Sequence, residues 1–190
     1  MDFRLATTSV IAIVTAAFAQ LPSAVWQQPE PITDADAYSV YAAAIPQTWA
    51  DVSKDVLLLQ QETEGMESWW SDCLPSISNA GAEWGAVAVV FGQENARVRV
   101  LEWLLPIDIP YRLVPRADIL ADNARLALTY RGTWQRRPEM KYAAVSAVGF
   151  NAAKTKAIVY VRVPDRGDIV FIELREGKWV IAPLGCVVIA

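Results

Sequence analysis

The stretch YAAVSAVGFNAAKTKAIVYVRV, Tyr142 to Val163, decides the fold. In its second half Ala157, Val159, Val161 and Val163 alternate with Lys156, Ile158, Tyr160 and Arg162. A period of two describes a β-strand with one apolar and one amphipathic face. Tyr142 to Phe150 reads as a strand running back against it. Downstream, Val170, Ile172 and Leu174 alternate with Ile169, Phe171, Glu173 and Arg175. The REGK sequence that follows is a tight hairpin turn, with Gly177 supplying a positive φ. It leads into KWVIA, and after PLG the chain ends in CVVIA. The C-terminal region therefore predicts an antiparallel β-meander of four or five strands.

Helices are expected upstream. After Thr33, a suitable N-cap, Asp34 and Asp36 sit in a first turn, and Tyr38, Tyr41, Ala42 and Ile45 follow at helical spacing until Pro46 ends the helix. VLLLQQE, Val56 to Glu62, reads as a buried strand, and EGMESWWSDCLPS as a loop with a helical turn. Between Ser78 and Glu94, Val87, Val89, Val90 and Phe91 favour a strand, but length and alanine content favour a helix, which is the reading adopted. RVRVLEWLLPIDIPYRLVP is extended and broken by Pro106, Pro110 and Pro115, which restrict it to edge or irregular strand. A short helix, RADILADNARLA, starts directly after Pro115. The predicted class is α+β, with N-terminal helices packed on the C-terminal antiparallel meander.

Ser146, Val148, Gly149, Phe150 and Asn151, then Ala157, Val159, Tyr160 and Val161, then Gly177, Lys178 and Trp179 form three spaced blocks. Together they resemble the C-terminal part of a group of secreted bacterial proteins of unknown function, with a pattern SxVGFN, AxVYV and GKW. Weaker echoes occur in LLLQQET and IPYRLVP, and the loop PDRGD departs from the pattern. The resemblance implies a fold and export, and carries no activity.

The N-terminus agrees with export. Arg4 precedes an apolar run from Val10 that ends in Ala17-Phe18-Ala19, the small-x-small pattern that signal peptidase recognises. Residues 1–19 are expected to be a signal peptide, since the run is well short of the roughly 20 residues a membrane anchor needs. Residues 20–31, with Pro22, Pro29 and Pro31, form a flexible segment, and 32–190 a single domain. The product is expected in the periplasm or outside the cell, with no membrane span after cleavage.

The net charge of −4 hides an asymmetry. From Gln20 to Ala96 eleven acids face Lys54 alone, and from Arg97 onward fifteen Lys and Arg face nine acids. Two halves of opposite sign either offer separate partner surfaces or pack together and neutralise each other; the second reading is preferred. Export, acidity and the lack of a dense basic run count against nucleic acid.

The chain contains no His, which removes Ser-His-Asp and Cys-His catalysis and every His-ligated metal site. Neither Gly-x-Ser-x-Gly nor a phosphate-binding Gly-rich loop occurs, so no cofactor or metal is expected. Cys73 and Cys186, the two cysteines, are read as one disulfide because of the oxidising compartment, the alternative being two separate buried thiols. The acidic, aromatic segment around Glu62, Glu64, Trp69 and Trp70 is the foremost candidate site, as carboxylates with stacking indoles suit a sugar or Ca²⁺. A second candidate patch is Tyr160, Arg162, Phe171 and Arg175 on the amphipathic strand face, for which helix cover is the competing reading. Arg166-Gly167-Asp168 matches an adhesion tripeptide, but its Gly-Asp pair is equally expected in a turn. The sequence thus points to a non-enzymatic binding or structural module of the cell envelope with an unidentified ligand. A carboxylate-based glycan hydrolase is the alternative.

Overall fold

A computed structural model describes residues 29–49, 56–65, 73, 77, 79–102, 105–129, 142–163 and 166–189. The expected signal peptide and Trp69 and Trp70 lie outside the described residues. In chain order the elements are β1 (Glu30–Pro31), α1 (Ala35–Trp49), β2 (Leu57–Gln60), α2 (Ala82–Glu94), β3 (Arg99–Val100) and β4 (Tyr111–Val114). There follow α3 (Arg116–Thr129), β5 (Tyr142–Val145), β6 (Gly149–Phe150), β7 (Lys156–Val163), β8 (Arg166–Arg175) and β9 (Lys178–Ile189).

The molecule is α+β, and its C-terminal strands are antiparallel: β5, β7, β8 and β9 are consecutive neighbours, with β6 also on β7. The meander does not stand alone. β2 adds to β5 in parallel and β4 adds to β2 in parallel, which makes one mixed seven-stranded sheet ordered β4-β2-β5-β7-β8-β9. β4 is an edge strand bounded by Pro110 and Pro115, where the missing N–H groups cost no ladder bond. β1 and β3 form a separate two-stranded parallel pair.

Helices cover both faces of the sheet. Ala157, Val159, Val161 and Val163 of β7, with Val170 and Ile172 of β8, pack in one cluster with Tyr38, Tyr41, Ile45 and Trp49 of α1. Ile158 and Tyr160, with Ile169 and Phe171, pack with Trp84, Val87 and Phe91 of α2. The amphipathic face of β7 is therefore buried at its centre, and Lys156 and Arg162 are the half-exposed residues toward its ends. Trp84 meets Phe171 edge to face at 5.1 Å, a geometry that suits the ring quadrupoles. Trp179 is half-buried against Phe150, with ring centroids 5.7 Å apart, whereas Trp49 is 1% exposed. Of these two tryptophans, the fully buried anchor is the one on α1, not the one in the meander.

Several local expectations are corrected. Pro46 does not end α1, which continues to Trp49. Its missing N–H removes one intrahelical bond, yet Ile45, Thr48 and Trp49 are buried by that last turn and hold it in helical form. α2 begins at Ala82 and not at Ser78, because Gly81 takes φ 103° and ψ 167°, a conformation that interrupts a helix. KWVIA and the CVVI that follows, through Ile189, belong to one strand, with a register irregularity opposite Val170 to Ile172 in the stretch that holds Pro183. Arg166-Gly167-Asp168 is strand β8, paired on both sides, and not a turn. The REGK turn is as expected, with Glu176 at φ 50° and Gly177 at φ 75°.

The largest correction falls in the decisive stretch itself. Tyr142 to Phe150 is two short strands, because the register against β7 shifts by one between Val145↔Val161 and Gly149↔Ile158. One residue is extra, and the ladder leaves the backbone of Ala147 unpaired. Asn95, just past α2, takes it up: its Oδ1 accepts from the Ala147 N–H at 2.8 Å and its Nδ2 donates to the Ala147 carbonyl at 3.0 Å. Ser146 Oγ accepts from the Tyr160 N–H at 2.9 Å, and the Ser146 carbonyl accepts from the Tyr41 hydroxyl at 2.9 Å. Burial pushes the Tyr41 phenol far above its usual pKa, so it remains a donor.

Directly beyond the bulge, Gly149 lets α2 lie against the sheet. A Cβ there would sit 2.4 Å from Phe91 Cα, whereas one at Gly185 would meet nothing nearer than 3.7 Å. Gly149→Ala is therefore expected to cost about 1–3 kcal/mol or more in urea unfolding, through overpacking. Gly185→Ala should unfold close to the parent, and equal midpoints for all three proteins would contradict this packing.

Candidate functional site

Beyond β2, residues Gln61 to Glu64 are stitched to several elements at once. The Gln61 N–H donates to the Val114 carbonyl, Thr63 N–H to Arg99, and Glu64 N–H to Val145, each at 2.8–2.9 Å. This backbone sends the two candidate acids in different directions. Glu62 Oε2 accepts from the Arg116 N–H at 2.7 Å, at the first residue of α3, where unpaired N–H groups and the helix dipole favour a carboxylate. Glu64 is 4% exposed, and its Oε1 lies 2.6 Å from Arg162 Nη2. The same Nη2 donates to the Tyr142 hydroxyl at 2.8 Å. Each acid thus serves a structural partner.

The second candidate patch is divided by the fold. Tyr160 and Phe171 lie beneath α2, and the Tyr160 ring also covers Gly167. Arg162 turns to Glu64, and exposed Arg175 pairs with Glu173 at 2.6 Å. Cys73 and Cys186 form a disulfide with a Cα–Cα separation of 5.8 Å, tying a buried cysteine to β9 across 113 residues of sequence. Among the described residues no helix is long and apolar enough to cross a membrane, and no group of three or more Cys, Asp or Glu is placed to hold a metal ion.

The structure brings together residues that the sequence did not nominate. A cleft of about 300 Å³ opens where the start of α1, the end of α2 and the bulge converge. Its apolar wall includes Ile32, Ala37, Val90, Val148 and Phe150, and its charged groups are Asp34, Glu94 and Arg99. Arg99 holds Glu94 at 2.7 Å and Glu30 at 3.3 Å. Lys154 bonds both oxygens of Asp34, at 3.0 and 2.9 Å, and one of Asp36, and these bonds raise its pKa. Lys154 also lies 5.4 Å from the centre of the Phe150 ring. Only Asp34, in a helix first turn, and Phe150, in the decisive stretch, carried any sequence signal. Arg99 and Glu94 lie in segments whose patterning marks structure alone.

A second depression, about 290 Å³, lies where the end of α1 meets the β8 and β9 edge and is lined by Thr48, Arg166, Asp168, Ile181 and Leu184. Burial raises the Asp168 pKa, against the lowering effect of Arg166 3.3 Å away and a bond from Thr48. Across the molecule, acids of the N-terminal half meet bases of the C-terminal half: Glu64 with Arg162, Asp34 and Asp36 with Lys154, and Glu83 with Lys156. These pairings follow the neutralising reading of the charge asymmetry. Compared with family models, with curated proteins and with solved structures, the chain matches none.

Two measurements probe these ion pairs. Glu64→Leu alone should cost about 1–3 kcal/mol, because it removes the partner of the half-exposed Arg162 charge, and Arg162→Met with Glu64→Leu should cost less than the sum of the single changes. Additive losses would mean that the pair is not coupled. For Asp168 the folded state holds the proton more tightly than the unfolded one, so its contribution is full below the ordinary value of 3.8 and is lost as pH rises through the raised folded pKa. Asp168→Asn is expected to flatten that part of the stability profile, and an unchanged slope there would refute the assignment.

Proposed function

We propose that this chain is a non-enzymatic binding module of an exported protein, acting at the cell envelope or in its surroundings, with its ligand in the cleft between α1, α2 and the bulge. The observation that carries the reading is that Glu62 and Glu64 are committed to Arg116 and Arg162, while a separate concave surface with an apolar wall and polar rim stands open. The disulfide and the lack of a long apolar helix among the described residues are compatible with export.

Carboxylate-based glycan hydrolysis is the second reading, because Asp34 and Glu94 both line the cleft. Hydrolysis needs one carboxyl kept protonated, usually by apolar surroundings, and a second held ionised across the scissile bond. Asp34 and Glu94 each lie against a cation, Lys154 and Arg99, which opposes the first role. Incubation of the purified protein with a panel of envelope and plant glycans is expected to release no new reducing ends. Turnover that disappears in Asp34→Asn or Glu94→Gln would replace binding by catalysis.

A further inference from the structure

We infer that the cleft takes an organic cation, an ammonium group on a short apolar stem; this rests on the binding reading above and names its ligand class. The charge of the rim selects a cation. Among the described residues, six charged groups line the cleft or pair with one that does: Glu30, Asp34, Asp36 and Glu94 against Arg99 and Lys154. They form two triads, each a cation between two carboxylates: Arg99 between Glu94 and Glu30, and Lys154 between Asp34 and Asp36. Each triad carries one excess negative charge, so the rim keeps two after its internal pairs are made. That field draws in a cation and opposes an anion, while a neutral ligand gains nothing from it.

Acceptors also remain for it. Among the described residues, Glu94 and Glu30 each accept through Oε2 alone, in both cases from Arg99. A carboxylate offers about four acceptor sites, so an incoming ammonium bonds Glu94 without displacing the guanidinium. The Glu94 side chain is 40% exposed and lines the cleft, which leaves it within reach of a ligand there. The chain already displays this recognition with a group of its own. Lys154 Nζ, itself an ammonium on an alkyl stem, donates to both oxygens of Asp34 and lies 5.4 Å from the centre of the Phe150 ring, and both partners line the cleft.

The walls select an organic cation over a metal ion. Ile32, Val90, Val148 and Phe150 face the space with carbon, which stabilises an alkyl stem by burial and offers nothing to a hydrated ion that needs oxygen ligands. Among the described residues no three acids are placed to hold a metal ion. About 300 Å³ lies at the lower end of small-molecule sites and suits one short stem.

The methyl resonances of Ala37, Val90 and Val148 report binding during titration with probes that share a four-carbon stem: n-butylammonium, 1-butanol and pentanoate. The ammonium is expected to shift these methyls saturably, with butanol about tenfold weaker and pentanoate weaker still. Raising the salt from about 0.02 M to about 0.5 M should weaken the ammonium several-fold and leave butanol unchanged. Glu94→Gln should weaken the ammonium about tenfold. Lys154→Met should tighten it about tenfold, because the excess negative charge grows and Asp34 is released to the ligand, and unmoved core methyls of Val159 and Ile172 show that both variants keep their fold. Nα-acetyl-L-lysinamide separates two sources of the same chemistry: binding at least as tight as n-butylammonium assigns the site to a lysyl side chain of a peptide, weaker binding assigns it to a small free amine, and either supports the class. Butanol or pentanoate binding as tightly as the ammonium, or Lys154→Met failing to tighten it, overturns the cation and leaves the binding cleft standing. Ca²⁺ binding more tightly than the ammonium overturns the organic stem and likewise retains the cleft. If none of these probes moves a cleft methyl at millimolar concentration, both the ligand class and the cleft as a binding site are overturned.

Discussion

The backbone of one residue, Ala147, has no partner in the ladder that surrounds it, and much of the molecule is arranged around that fact. β5 and β6 oppose β7 with one residue too many, so an N–H and a carbonyl are left over in the interior. Unsatisfied buried polar groups cost about 1–3 kcal/mol each, enough to select against the bulge unless another element answers them. Asn95 answers both, and Tyr41 binds the neighbouring Ser146 carbonyl from the opposite side of the sheet. One side chain comes from the end of α2 and the other from α1, so the bulge ties the two covering helices to a single point.

That tie has consequences for the layers. Tyr41 fixes α1 over the face formed by Val159, Val161 and Ile172, while Gly149 brings Phe91 of α2 onto the other face. Burial on both faces explains why β7 is almost uninterrupted in its buried residues, although Ile158 and Tyr160 belong to the amphipathic side. Arg162 and Lys156, too polar for the covered centre, fall toward the ends of the strand, where Glu64 and Glu83 meet them. The acidic and basic halves of the chain are thus interleaved by the sheet and not displayed as two separate surfaces.

The cleft is a by-product of the same convergence. The start of α1, the end of α2 and the bulge cannot close on one another completely, and the space left is walled by Val148 and Phe150 on one side and Asp34, Glu94 and Arg99 on the other. Its carboxylates, Asp34 and Glu94, are held by Lys154 and Arg99, and the cleft is separate from the Glu62 and Glu64 segment. There the carboxylates serve to start α3 and to hold β7.

Most strands and helices, and the faces on which they are apolar, were legible in the residues alone, because they depend on local periodicity and on residues such as Gly177 that dictate a turn. So were the antiparallel C-terminal strands, the helix beginning near Asp34 and the pairing of Cys73 with Cys186. Three matters were left to packing: the parallel addition of β2 and β4, the continuation of α1 through Pro46, and the split of Tyr142–Phe150. Each depends on contacts distant in sequence. Asn95 meets Ala147 across 52 positions and Tyr41 meets Ser146 across 105. The cleft is invisible for the same reason, since Asp34, Glu94, Arg99 and Phe150 have ordinary local roles and acquire a common one only when three elements converge. Local pattern specifies which side of an element must be buried, but which polar groups then face each other is decided by the three-dimensional packing alone.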